Sequence, residues 1–227
     1  MKYLIFDSGP LINFSMNGLL SILEKIHEKF KIEFLITKEV KEEIIDVPKT
    51  IKRFELEALR LEDLFNKGII KHADITKNEI DELREIRNNL MQTANSTFKI
   101  NNKYLHLIDK GESATLALCL IMKRKSGSEL NSTLVIDERT TRMLCENPEN
   151  LRRLLEKKLH NKIEANKKNY SFFKDFKIIR STELAYIAYK NKLVELKNPK
   201  VLEAMLYGLK FKGCSISEDE VREMSRM

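Results

Sequence analysis

Four acidic residues stand where short apolar runs end or where helices are expected to begin. They are Asp7, Glu43, Glu112 and Asp137. Carboxylates brought close together repel one another unless a divalent cation lies among them, and Mg²⁺ and Mn²⁺ prefer oxygen ligands. A bound ion of this kind lowers the pKa of water and stabilises charge on a phosphodiester. If the four acids converge, the chemistry that they predict is metal-dependent hydrolysis.

The elements that must position these acids alternate between strands and helices. We predict strands at 3–6, 32–36, 133–136 and 176–179, and helices at 8–29, 38–45, 111–125, 182–191, 200–209 and 217–225, with a turn at 126–128. Such a chain predicts an α/β fold with a mainly parallel sheet covered on both faces. Ligands bind at the carboxyl ends of strands in these sheets, where Asp7 and Asp137 stand. Glu112 begins the helix before the Asp137 strand.

Two long stretches are predicted to be insertions within a single domain that spans 1–227. Residues 46–104 show helical spacing and a capping box at Thr76 and Glu79, which indicates a helical hairpin. Residues 146–175 are predicted to form a basic helical insertion. Capping residues are also expected at Ser8 and Thr37, and a further capping box is expected to begin the last helix.

Each acid also has an ordinary structural interpretation. Asp7 and Asp137 are of the residue type that caps helices, and Asp109 with Glu112 fits a capping box. The chain holds 34 acidic residues, so one acid near a strand end is weak evidence. Glu43 shares a helical stripe with apolar neighbours and is expected to face the protein body, whereas Glu42 points away. The order and placement of the four acids together favour a site.

Several segments resemble the motifs of PIN-domain proteins. The sequence YLIFDSGPLI at 3–12 is similar to the opening strand and Asp-Ser turn of that family, and TKEVKEE at 37–43 resembles its second motif. DKGESATLA at 109–117 is similar to the Asp-x-Gly-Glu start of the third motif in one prokaryotic branch, and VIDER at 135–139 resembles the fourth. The tail, at 181–193 and 213–217, resembles the same branch.

The resemblance implies a PIN-like three-layer fold and a Mg²⁺- or Mn²⁺-dependent endoribonuclease. Its site would comprise catalytic Asp7, Glu43, Glu112 and Asp137, metal ligands Asp7, Glu112 and Asp137, and auxiliary Ser8, Asp109 and Glu138. Members of this kind include VapC-type toxins of toxin–antitoxin pairs and RNA-processing enzymes. Both insertions are longer here than in a minimal toxin. Many toxins carry a further aspartate two residues after the fourth-motif acid, where this chain has Arg139.

A basic segment at 151–177 holds nine Lys and Arg against three acids, a net charge of +6. The residues expected to bind nucleic acid are Arg152, Arg153, Lys157, Lys158, Lys167 and Lys168, with Tyr170, Phe172, Phe173 and Phe176 following closely. Cations for phosphates beside aromatic faces for unstacked bases suit a single-stranded RNA. The alternative is a solvated helix whose leucines face the core, with the phenylalanines leading into the last strand.

Composition and charge indicate which partners and which cellular compartment to expect. The net charge of +7 points to a polyanionic partner. Cys119, Cys145 and Cys214 show neither a disulfide pattern nor ligand spacing, and the four histidines show no ligand spacing. The first apolar run ends at Asp7, too early for a signal peptide, and no run is long enough for a membrane span. We expect a cytoplasmic protein with RNA, an antitoxin or a second copy of itself as partners.

Two other functions compete with the nuclease interpretation. The first is a non-catalytic PIN-like module that binds nucleic acid or a protein partner through its basic segment and hairpin. The second is a phosphatase of the haloacid-dehalogenase type. That family carries Asp-x-Asp after its first strand, and Gly9 stands where the second aspartate belongs. Retention of all four acids favours the enzyme.

Overall fold

A five-stranded parallel sheet lies at the centre of the computed structural model, which describes residues 2–127 and 132–227. Its strands are β1 (Tyr3–Phe6), β2 (Glu33–Ile36), β3 (Ile70–His72), β6 (Ser132–Val135) and β8 (Ile178–Ile179). Their order is β3-β2-β1-β6-β8. A small antiparallel sheet with the order β5-β4-β7 is formed by β4 (Phe98–Ile100), β5 (Lys103–Tyr104) and β7 (Glu164–Ala165).

Helices connect and cover the strands. The first six are α1 (Ser8–Met16), α2 (Leu20–Phe30), α3 (Lys38–Lys41), α4 (Glu55–Asn66), α5 (Lys77–Asn95) and α6 (Lys110–Ser126). The others are α7 (Arg139–Glu146), α8 (Pro148–Leu159), α9 (Ser181–Lys190), α10 (Val201–Phe211) and α11 (Glu218–Arg226). A π-helical turn (Glu42–Asp46) extends α3, and 3₁₀ turns occupy Pro48–Thr50 and Lys167–Phe173. The predicted α/β class with a parallel sheet between helical layers is confirmed.

The core has two parts because the strands bury side chains on both faces. Leu4 and Phe6 of β1 face one way and pack with α1, α2, α4 and the three C-terminal helices. Ile5 points to the opposite face and packs with α5, α6, α7 and α8. This alternation follows from the two-residue period of a strand. All three cysteines are free and buried.

The chain reverses its direction of winding beside β1. From β1 it passes outward to β2 and β3, and it later returns to place β6 on the other side of β1. The Asp7 amide donates to the Val135 carbonyl at 3.0 Å, so β1 and β6 are still paired where they end. In open α/β sheets, ligands usually bind at the carboxyl ends of neighbouring strands whose connections run in opposite directions, in the crevice between those connections.

The predicted insertions are not helical throughout. Residues 46–104 contain the two expected helices, but Ile70–His72 between them pairs with β2 and forms the edge of the central sheet. Residues 146–175 hold α8 and also β7, which pairs with β4. Both strands have three residues or fewer, too short for an alternating pattern to be visible. In the predicted turn at 126–128, Gly127 caps α6 with φ of 62°, and residue 128 lies outside the described residues.

Most predicted caps are confirmed. Thr37 accepts from the Val40 amide, and capping boxes begin α5 at Thr76 and α11 at Ser217. The expectation for Ser8 is wrong, because Asp7 holds the N-cap position of α1. In the described part of the chain, no helix combines the length and the apolar character needed to cross a membrane.

Candidate active site

Asp7 lies at the carboxyl end of the central strand β1, where the chain passes into α1. The residue is only 5 % exposed. Although it holds the N-cap position, its carboxylate makes no capping hydrogen bond to α1. Burial, followed by the negative charges of Glu112 and Glu43, raises the pKa of Asp7 from 3.8 to about 7, while the amides of Ser8 and Gly9 act in the opposite direction. Asp7 is therefore a buried acid among like charges as well as the N-cap residue of α1.

Glu43 lies in the π-helical turn after β2. The Val47 amide donates to the Glu42 carbonyl at 3.0 Å, one residue further back than in an α-helix. This wider turn shifts the helical stripe, so that Val47 is 49 % exposed although Val40 is buried. Val47 therefore leaves the predicted stripe, and Glu43 as a whole residue is exposed at the rim. Single π-helical turns are found frequently at functional sites.

The carboxylate of Glu43 nevertheless turns back toward the crevice. It hydrogen-bonds to the Ser8 side chain, and partial burial is the main reason why its pKa is raised. A Cβ atom at Gly111 would lie 2.5 Å from Glu43 Oε1. Glycine at the start of α6 thus leaves room for this carboxylate in its present position.

Glu112 joins the cluster from the first turn of α6. Its Oε2 accepts from the Asp109 amide at 2.7 Å, which confirms one half of the predicted capping arrangement. Burial is the main cause that raises the pKa of Glu112, and the charges of Asp109 and Glu138 add to it. Asp109 is exposed, and its Oδ1 lies 2.6 Å from His106 Nε2. Asp7, Glu43, Asp109 and Glu112 are hereafter called the acid cluster.

Asp137 lies beside Asp7 but is held by protein donors. A Cβ atom on Gly9 would lie 3.8 Å from Asp137 Cβ and 3.9 Å from Asp7 Oδ2, so the two acids flank this glycine. Asp137 is 2 % exposed. Its Oδ2 accepts from Asn13 Nδ2 at 2.5 Å and Ser181 Oγ at 2.7 Å, and its Oδ1 accepts from the Ser181 amide at 2.8 Å. Asp137 does not cap α7, because Glu138 occupies that position.

Glu138 serves mainly as a structural cap. Its Oε2 accepts from the Thr141 amide at 2.6 Å at the start of α7. The residue is still close enough for its charge to raise the pKa of Glu112. The seven acids and hydroxyl residues predicted for the site all lie along the same edge of the sheet. Asp137 accepts from three protein donors, whereas Glu112 and Glu138 each accept from one backbone amide.

The chemistry of the donors fits a hard divalent cation. Among residues 2–127 and 132–227, no three His, Cys, Asp or Glu side chains converge closely enough to form a metal-binding group as they stand. Mg²⁺ keeps several waters and is commonly held by one or two carboxylates, so it does not need a cage of protein ligands. Asp7 and Glu112 supply two mutually repelling carboxylates in a buried setting. A cation between them would relieve that repulsion.

The basic segment divides into exposed and engaged residues. Arg153, Lys157, Lys158, Lys167 and Lys168 are exposed. Arg152 instead lies 2.7 Å from Glu149 and 2.5 Å from Glu156 on its own helix, which leaves it poorly suited to phosphate.

The predicted aromatic contribution to RNA binding is largely wrong. Phe173 and Phe176 are buried in the core, and Tyr170 is partly buried against Phe98 and hydrogen-bonds to Glu149. Phe172 alone of the four is exposed, at 50 %. The buried rings thus belong to the core, as expected for the alternative in which the phenylalanines lead into the last strand and do not contact RNA.

Asn13, Ser181 and His106 are the site neighbours that the sequence analysis missed. Asn13 stands six residues after Asp7, and Ser181 lies 44 residues beyond Asp137 in sequence, so no short motif joins them. His106 precedes Asp109 by three residues in a segment without regular structure. Only the proximity of a histidine to the Asp-x-Gly-Glu sequence could have drawn attention to it. Compared with protein-family models, with curated proteins and with solved structures, the chain matches none of them.

Proposed function

We propose that this protein is a PIN-like, Mg²⁺- or Mn²⁺-dependent ribonuclease that hydrolyses single-stranded RNA. The observation that carries the proposal is the buried Asp7 at the end of the central strand, which lies beside Asp137 across Gly9. Burial and the charges of Glu112 and Glu43, which raise its pKa, support the same conclusion. Clustered acids at the switch point of a parallel sheet suit a metal-assisted hydrolase. Strong pKa shifts of this type are concentrated at functional sites. A toxin role and an RNA-processing role are both compatible with this chemistry.

Asp7 and Glu112 would hold the ion, with Asp137 beside them as a third ligand. When bound, the ion supplies Lewis acidity toward water and the phosphodiester. Glu43, at the rim, would accept the proton that water loses as its oxygen attacks phosphorus, and its raised pKa makes it a stronger base. The bond from phosphorus to the leaving oxygen breaks, and that oxygen takes a proton from solvent. Asn13 and Ser181 fix the orientation of Asp137 through three hydrogen bonds.

Cleavage of RNA with and without metal tests this proposal. Purified protein should cut a fluorescently labelled single-stranded RNA in millimolar Mn²⁺ or Mg²⁺, and excess chelator should stop the reaction. Ca²⁺ serves as a control, because its larger size and looser geometry support binding without the same chemistry. Cleavage that persists undiminished in chelator would exclude a metal-dependent mechanism.

RNA binding is expected to depend on the exposed part of the basic segment. Replacing Lys157, Lys158, Lys167 and Lys168 with Gln should weaken binding and flatten its salt dependence, because fewer counterions are released. Each lost phosphate contact changes the slope of log affinity against log salt by about 0.7 for a single strand, so the slope should fall by about 2–3. Binding is measured by fluorescence anisotropy in Ca²⁺ over a series of salt concentrations.

A matched variant separates local contacts from net charge. Lys192, Lys197, Lys200 and Lys212 are likewise exposed and lie around α10. Their replacement with Gln removes the same charge and should leave the slope close to that of the parent. Equal slopes for the two quadruple variants would show that the basic segment is only a solvated face.

A second candidate function is a non-catalytic PIN-like module that binds nucleic acid or a protein such as an antitoxin. The observation that favours it is the engagement of both Asp137 oxygens by Asn13 and Ser181. If Asp137 serves only to join α1 to α9, the site has one ligand fewer. RNA binding without cleavage in any of the three metals would favour this module.

A further inference from the structure

A cavity of about 450 Å³ opens beside the acid cluster at the carboxyl ends of β2 and β3. Its lining includes the apolar side chains of Ile36, Ala73, Ile75 and Leu83. Cationic side chains stand around it, among them Lys38, Arg84 and Lys110. The volume lies within the range of small-molecule sites, which combine apolar walls with a few polar groups.

The cavity and the acid cluster share two structural elements. Glu42 of the π-helical turn lines the cavity, and the next residue, Glu43, reaches the cluster. Lys110 of α6 also lines the cavity, and the next residue, Gly111, contacts the Glu43 carboxylate. Consecutive Cα atoms are about 3.8 Å apart, so the two sites are immediate neighbours. A ligand held at one of them extends naturally to the other.

The lining favours a flat, mostly apolar group attached to an anion. Arg87 lies 2.6 Å from Glu39, with both side chains 15 % exposed, which fixes one wall. His72 Nδ1 is 3.2 Å from the Ile36 carbonyl, and its ring forms part of the lining. Lys38 and Lys110 then supply positive charge beside Glu42, while Arg84 adds a guanidinium that is shared with Asp81 at 2.9 Å. An unstacked base followed by a phosphate has this combination of properties.

We propose that the cavity is a subsite for one unstacked nucleobase of a single-stranded RNA whose neighbouring phosphate lies at the acid cluster. The proposal rests on the ribonuclease function and adds to it the position of one base. Another cavity of about 510 Å³ lies between α2 and α4 and is lined by none of the acids of the cluster. It provides a control location on the same molecule.

Abasic RNA tests the subsite without requiring cleavage. Binding to the parent protein is measured in Ca²⁺ by anisotropy, using a 12-nucleotide single strand and the same strand with one abasic residue at successive positions. At one position, loss of the base should weaken binding about tenfold, the range expected for stacking of one base. Ala73→Phe fills the cavity and should abolish this preference while the affinity for the abasic strand stays unchanged. Ile75→Phe is a second filling variant, used if the first fails to keep the parent melting temperature.

Control variants define the outcomes. Ala73→Ser, which adds little volume, and Ser21→Phe, in the other cavity, should both keep the tenfold preference. The subsite is excluded if the parent binds every abasic strand as tightly as the intact one, fails to bind RNA, or keeps its preference when the cavity is filled. A preference that disappears on filling, in a protein that never cleaves RNA in Mn²⁺, supports the subsite and refutes the ribonuclease. If the parent cleaves RNA but shows no preference for a base at any position, the ribonuclease is supported and the subsite is excluded.

Discussion

Asp7→Asn is expected to lower the rate constant for RNA cleavage in Mn²⁺ by about 10³-fold. The substitution keeps the size of the side chain but removes the charge at the carboxyl end of the central strand. A Lewis acid contributes several kcal/mol to stabilisation of the transition state. Loss of about 4 kcal/mol corresponds to three factors of ten in rate. Single-turnover cleavage of labelled RNA measures the chemical step without interference from product release.

Glu112→Gln gives an independent and sharper version of this prediction. Glutamine retains an oxygen that can accept from the Asp109 amide, so the start of α6 stays capped while the charge is lost. A similar large loss of activity is expected. Glu28→Gln, an exposed acid on α2, serves as the charge control and should keep the parent rate. Folded Asp7→Asn or Glu112→Gln protein with the parent rate would show that catalysis occurs elsewhere.

In metal-free buffer, the Asp7→Asn protein should be more stable than the parent at pH 8. The folded-state pKa of Asp7 is about 7, above the usual 3.8, so the folded protein binds more protons than the unfolded chain between these values. Stability of the parent therefore falls as pH rises from about 4 to about 7, and asparagine removes this loss. The difference at pH 8 is at most about 4 kcal/mol, since each pKa unit corresponds to about 1.4 kcal/mol. At pH 4 the two proteins should be nearly equal.

Addition of Mn²⁺ at pH 8 should reverse the order of the two proteins. An ion that binds only the folded state stabilises it by about 2.7 kcal/mol at a hundredfold excess over Kd. The parent gains this stabilisation and the variant little of it. Melting curves give the comparison, at roughly 2–4 °C per kcal/mol for a chain of this size. An ordinary helix cap predicts the opposite: a loss of about 1 kcal/mol in the variant and no response to metal.

The sequence contained enough information for the sheet and for the position of its acids. The apolar runs before Asp7 and Asp137 are strong local signals, and parallel strands bring their carboxyl ends to one edge regardless of detail. Thr37 and Thr76 marked helix starts because a capping side chain acts within its own turn. Features fixed by local chemistry were therefore predictable.

Features fixed by contacts distant in sequence were not. The π-helical turn that moves Val47 outward leaves no residue pattern, and β3 is too short to show alternation. The bonds from Asn13 and Ser181 to Asp137 join three separate elements. Phe173 is buried because it packs into the part of the core on the Ile5 face of the sheet, and composition alone does not reveal this packing. Such details decide which acids are available to a ligand.

Crystals soaked in Mn²⁺ and measured at a wavelength with manganese anomalous signal would show whether the acids bind a metal ion. We expect an anomalous peak within about 2.5 Å of carboxylate oxygens of both Asp7 and Glu112, the range for hard cations with oxygen ligands. The peak should be lost in Asp7→Asn crystals treated in the same way. Fully occupied Mn²⁺ sites elsewhere, with no peak between these two acids at saturating metal, would contradict this expectation.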